Sequence, residues 1–150
     1  MYQKILVALE NSEADRALLP HVTELAKRLH SHLFLLHVAD GWGARNFNQL
    51  KLVESAEMKA DRAYLDKIAA QLAEGGVSVS THLALGDPPA EILSCAEKEK
   101  CDLIAMTSHG HRWLGDVVFG STIHEVRHKT SIPVLLVRAS GKEIKSGSKK

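Results

Sequence analysis

The sequence lacks an excess of charge of one sign: 19 Lys and Arg stand against 18 Asp and Glu, for a formal net charge of +1. Without a global basic field, a chain is poorly suited to nucleic acid, whose phosphates are neutralised by clustered Lys and Arg. Cysteine is scarce too. Cys95 and Cys101 fit no C-x-x-C or zinc-ligand spacing and cannot form a disulfide framework, which points to a reduced compartment. No run of 18 apolar residues occurs, and Met1 to Val7 enter a short apolar run without the basic and cleavage segments of a signal peptide. The expectation is a cytoplasmic protein that engages neither nucleic acid nor membrane.

What is present is enough for one self-supporting core, with 150 residues of which 45% are apolar. Five short apolar runs stand out: Ile5 to Leu9, Leu33 to Val38, Val77 to Leu83, Leu103 to Met106 and Ile132 to Val137. Each is too short for a helix, and their nearly continuous apolar character suits strands covered on both faces. Helical periodicity separates them. Leu18, Val22, Leu25 and Leu29 recur at helical spacing, as do Leu65, Ile68, Ala69 and Leu72, then Ile92, Leu93 and Ala96. Ser12, with Glu13 and Asp15, is expected to cap the first helix, Gly75-Gly76 to end the second, and Asp87-Pro88-Pro89 to open the third. Strict alternation predicts an α/β three-layer sandwich around a five-stranded parallel sheet. Residues 1–138 form the predicted domain and 139–150 a flexible basic tail. From Arg138 onward five Lys and Arg face one Glu, a net +4 that leaves −3 for residues 1–137.

In an open parallel sheet, ligands bind beyond the carboxyl ends of the strands where the strand order reverses. The segment after the fourth strand, Thr107 to Thr122, is unusual there, with Gly110, Gly115 and Gly120 and a closing Gly-Ser-Thr at an expected helix start. Glycines admit close backbone approach to phosphate oxygens, and a helix N-terminus adds free N–H groups and a positive dipole end. Turn-making glycines and a Ser121 helix cap are the alternative account. The segment is neither a Walker A loop nor a G-x-G-x-x-G fingerprint.

Gly110, nine further residues and then Gly120-Ser121 resemble the G-x2-G-x9-G-[ST] nucleotide loop of the universal stress protein family. Met1-Tyr2-Gln3-Lys4-Ile5-Leu6-Val7-Ala8-Leu9-Glu10-Asn11-Ser12, Leu36-His37-Val38 and Gly86-Asp87-Pro88-Pro89-Ala90-Glu91-Ile92 resemble that family's first strand with its exit, second strand and third-helix entry. The resemblance covers about residues 1–138. It implies a Rossmann-like, adenine nucleotide hydrolase-like fold with strand order 3-2-1-4-5, a homodimer joined through the fifth strands, and one bound ATP with Mg2+. By this likeness phosphates fall at Thr107, His109, Gly110, Gly120, Ser121 and Thr122. Arg112 supplies charge, and Ala8, Glu10 and Val38 belong to the nucleoside end.

Two residues depart from the family pattern. Thr107 stands where the motif has its first Gly, and a β-branched residue disfavours positive φ and brings a Cβ towards a phosphate. Glu10 stands where the family has Asp, one methylene shorter. The implied role is a nucleotide-dependent sensor with an unidentified protein partner; the alternatives are a nucleotide-free interaction homodimer and a slow ATP hydrolase. Ser108, His109 and Asp116 offer triad residue types without a G-x-S-x-G elbow, and His124 with His128 at i and i+4 lack further metal-ligand partners.

Overall fold

In the computed structural model the described residues are 1–39, 56–109 and 117–139, with the side chains of 117–120 left aside. Five strands and four helices alternate: β1 (Lys4–Ala8), α1 (Asp15–Leu29), β2 (His32–Ala39), α2 (Ala56–Glu74), β3 (Ser78–Leu85), α3 (Pro88–Lys98), β4 (Leu103–His109), α4 (Val117–Lys129) and β5 (Val134–Ala139). All pairings are parallel, in the order β3-β2-β1-β4-β5. The order turns back between β1 and β4, which pair at Ile5 with Leu103, Leu6 with Ile104 and Val7 with Ala105. The basic segment expected to be flexible lies almost wholly outside the described residues, and β5 runs one residue past the expected domain end, to Ala139.

Strand alternation sends successive side chains to opposite faces, and both faces are covered. Ile5, Val7, Leu33, Leu35, Leu103 and Ala105 pack with Leu18 and Val22 of α1 and Leu65 and Leu72 of α2. Leu6, Phe34, Leu36, Ile104 and Met106 pack with Ile92, Cys95 and Ala96 of α3 and Val126 of α4. Each fully buried Leu or Ile contributes about 1.5–3 kcal/mol relative to exposure, so both layers stabilise the sheet.

The helix ends show where local chemistry met its expectation and where it did not. Gly76 takes φ +86 after α2, and Val77 N–H returns to the Leu72 carbonyl at 3.0 Å, the closing bond that a left-handed residue at this position permits. Asp87 is the extended residue before α3, with Pro88 and Pro89 in the first positions, where a missing N–H costs nothing. Ser12 does not cap α1. The cap residue is Ala14, and the N–H groups of Asp15, Arg16 and Ala17 bond back three residues to the carbonyls of Ser12, Glu13 and Ala14. Tight-turn bonding satisfies those donors, which leaves the Asp15 carboxylate available to reach backwards. Nor do Gly120, Ser121 and Thr122 precede the last helix: α4 begins at Val117, so they lie within its first two turns.

Candidate nucleotide-binding site

The site is built at the reversal of strand order. β1 leaves the sheet at Glu10 and Asn11, β4 leaves beside it at His109, and a cavity of about 580 Å³ opens between them and the neighbouring elements. That volume lies in the range of small-molecule sites. Ala8, Leu36 and Val38 of the sheet, with Ile92, Met106 and Ile123, make its apolar wall. Glu10, Asn11, His37, Asp61, Thr107 and Thr122 supply polar groups.

Asp15 holds the floor of this site in place. Its carboxylate is fully buried and accepts the backbone N–H groups of Glu10 and Asn11 at 2.9 Å each, that of Ser12 at 3.4 Å, and the Tyr64 hydroxyl at 3.1 Å. Burial pushes the Asp15 carboxyl up, against the downward pull of those hydrogen bonds. Burial and the Asp15 charge push the Tyr64 phenol well up, so it stays protonated and remains the donor. Three consecutive N–H groups aimed at one acceptor fix the turn in which Asn11 sits at φ +56, a conformation Asn tolerates.

From that turn the Asn11 amide reaches across to α2 and donates to Asp61 Oδ1 at 3.0 Å and to the Asp61 carbonyl at 3.3 Å. Asn11 Oδ1 is buried in turn and has no hydrogen-bond partner among the described residues. His37 completes the group. Its Nδ1 lies 2.9 Å from the Leu9 carbonyl, which only accepts, so Nδ1 carries the proton. Its Nε2 faces Asp61 Oδ2 at 3.5 Å, an attractive arrangement when the ring is imidazolium.

Glu10 and His109 meet across the reversal point. His109 Nε2 donates to both carboxylate oxygens, at 2.8 and 2.7 Å, with the two side chains 8% and 6% exposed. The longer side chain of Glu10 is therefore turned towards β4. Thr107 is an interior residue of β4, paired with Val137, and it is not among the residues at positive φ. Alternation along β4 puts Leu103 and Ala105 in the α1/α2 layer and Ile104 and Met106 in the other, and Thr107 follows the first set. Its Cβ is directed away from the layer that contributes Thr122 and Ile123. Thr107 Oγ1 is buried without a hydrogen-bond partner among the described residues.

The sequence model of the universal stress protein family matches residues 1–138 of this chain. Universal stress protein YxiE of Bacillus subtilis is 30% identical over 92% of the chain and 100% of its own length. The chain belongs to the universal stress protein family. Universal stress protein MJ0577 of Methanocaldococcus jannaschii is also 30% identical, over 92% of the chain and 96% of its own length. The solved structure of MJ0577 superposes with a TM-score of 0.76 at 31% identity, covering 94% of this chain and 99% of that one. A universal stress protein from Archaeoglobus fulgidus in complex with dAMP has the same fold, with a TM-score of 0.67 at 19% identity over 91% and 98% of the two chains.

In this universal stress protein Ala8, Glu10, Val38, Thr107 and Thr122 come together on one cavity. His109 stands behind them through Glu10, while Ser121 is exposed and not part of the cavity wall. Gly120 lies in the first turn of α4, and Gly110 and Arg112 fall outside the described residues. Asp61, Glu57 and His37 were not singled out from the sequence. His37 sits in a strand that reads as core, and the α2 carboxylates read as an ordinary solvated helix face.

Proposed function

We propose that this universal stress protein binds an adenine nucleotide, ATP, in the cavity between the ends of β1 and β4 and acts as a nucleotide-dependent regulatory homodimer. The observation that carries the reading is one cavity joining an apolar slot at Ala8 and Val38 to Thr107 and to Thr122 in the first turns of α4. A flat base suits the slot, and the start of α4 offers N–H groups and a favourable dipole end to phosphates. The unpartnered Asn11 Oδ1 at the same cavity fits a donor such as a sugar hydroxyl or a base amine. The dAMP complex of the Archaeoglobus fulgidus relative supports an adenine nucleotide as the ligand class. Among the described residues no group of three His, Cys, Asp or Glu could hold a metal, so Mg2+ would travel with the phosphates.

The regulatory step requires a ligand that favours one state of the protein over another. β5 supports the dimer: it ends the sheet, its outer row of backbone groups meets no described strand, and Leu136 is 37% exposed. The test is thermal unfolding with and without millimolar Mg-ATP, with GTP as the control. Ligand at about 100 times Kd adds roughly 2.7 kcal/mol, a rise of several degrees for a chain of this size. Ala8→Phe, which fills the slot, should abolish the rise while circular dichroism stays native. A wild-type protein freed of copurified nucleotide that shows no rise with ATP overturns the reading.

A further inference from the structure

Glu10 lines the proposed nucleotide site with His109 behind it, and the pair is chemically different from a lone carboxylate there. Both side chains are almost wholly buried, and one ring nitrogen serves both carboxylate oxygens. We propose that His109 is a specificity-determining residue, coupling the charge of the bound ligand to a proton held between His109 and Glu10. This rests on the nucleotide reading above and adds the regulation of that site.

The argument is one of charge. With imidazolium at His109, the pair is neutral. With neutral imidazole, Nε2 still donates its hydrogen bond and the geometry survives, but the pair carries a full negative charge. That charge adds to Glu57 and Asp61 of α2, which line the same cavity. A phosphorylated ligand binds better when His109 is protonated than when it is not, since the charge of this nearly buried pair is poorly screened. An uncharged nucleoside feels no such difference. Linkage then requires that polyphosphate binding take up a proton wherever His109 would otherwise be neutral.

The described titratable groups nearest the pair lie on other elements. On α1, Asp15 takes the Glu10 backbone N–H. On β2, His37 lies between the Leu9 carbonyl and Asp61 of α2. On α3, Glu91 stacks beside Gly86, and on β5, Arg138 is paired in register with Ser108, one residue before His109. The described cavity-lining residues of α4, Thr122 and Ile123, do not ionise. Among the described residues His37 is the imidazole that lines the cavity itself, and its removal must be tested in parallel.

The experiment is calorimetric titration of the full chain with Mg-ATP and with adenosine from pH 6 to 8.5, in buffers of differing ionisation enthalpy so that proton uptake is read directly. Wild type, His109→Gln and His37→Gln are compared, which cancels the titration of ATP itself. In wild type, ATP affinity should fall as pH rises, by up to about tenfold per unit for one linked proton, while adenosine affinity stays flat. His109→Gln should lose this linkage and His37→Gln should keep it. Glu10→Gln, a second variant independent of whether His109→Gln folds, should move the fall in affinity to lower pH, because the carboxylate that favours imidazolium is gone. Equal proton uptake in wild type and His109→Gln, or loss of uptake only in His37→Gln, overturns the inference. ATP binding that is flat with pH overturns it while leaving the nucleotide reading intact. Absence of binding by ATP and adenosine at every pH overturns both.

Discussion

Asp15 of α1 and Tyr64 of α2 meet through a 3.1 Å hydrogen bond behind the exit of β1, and the same carboxylate gathers the backbone N–H groups of Glu10 and Asn11. Two helices on one face of the sheet thereby set the position of a turn at the carboxyl end of its central strand. The candidate site depends on a residue that does not line its cavity.

Asp15→Asn tests that dependence. An amide offers one oxygen and two N–H donors, and the donors would face backbone N–H groups that have no other acceptor. The variant should lose about 1–3 kcal/mol of stability, the cost of leaving buried polar groups unsatisfied, as read by urea unfolding. Asn11 and Glu10 should lose their fixed positions with it, so any ATP-induced rise in Tm should shrink. A variant as stable as wild type would mean the turn is held by other bonds.

Leu65 is 1% exposed in the layer between α2 and the sheet. Leu65→Ala should cost about 2–5 kcal/mol, the sum of lost transfer energy and an unfilled void. Because α2 also carries Asp61, which Asn11 and His37 both contact, the cavity should loosen with the core. Guanidinium unfolding measures the first effect and ligand-induced stabilisation the second.

His32 gives a pH dependence with a definite sign. Its ring lies 2.6 Å from Ser78 Oγ and 2.7 Å from Ser80 Oγ, and burial, with the charge of Lys4, holds its pKa below the usual histidine value. The unfolded chain therefore takes up this proton at higher pH than the folded one. The resulting stability is fully present above about pH 6.5 and is lost as pH falls through the lowered value of the folded state. His32→Gln should flatten that part of the profile in thermal unfolding between pH 7 and 5. A variant that retains the full wild-type slope would assign it to another group.

Leu136→Asp places a charge on the exposed part of β5, the edge of the sheet. If β5 joins two copies, light scattering should report a shift from dimer to monomer, and the domain should keep its Tm at low concentration. An unchanged mass would remove β5 as the joining edge.

The elements were legible in the sequence because apolar runs and helical periodicity report which face of each segment is buried. Their ends were less so. The run predicting β4 stops at Met106, yet the strand continues through Thr107, Ser108 and His109, which pair with Val137, Arg138 and Ala139. Ladder hydrogen bonds are made by the backbone, so polar side chains do not end a strand. The helix cap expected at Ser12 failed for a related reason: tight-turn bonds satisfied the local donors, and a buried acceptor at Asp15 took the loop.

By itself the sequence determined the alternation of strands and helices and the two-faced burial of the sheet, and a resemblance carried by short motifs supplied a wider set of site candidates, of which Ala8, Glu10, Val38, Thr107 and Thr122 line one cavity. Only the tertiary structure decided which polar groups meet: Glu10 with His109 across 99 positions, and Asn11 with Asp61 across 50. Periodicity encodes burial, a local property that each segment carries along its own length. Polar pairing is set by the order of strands in the sheet and by the helices laid over it, and so it comes into being only when the chain has folded.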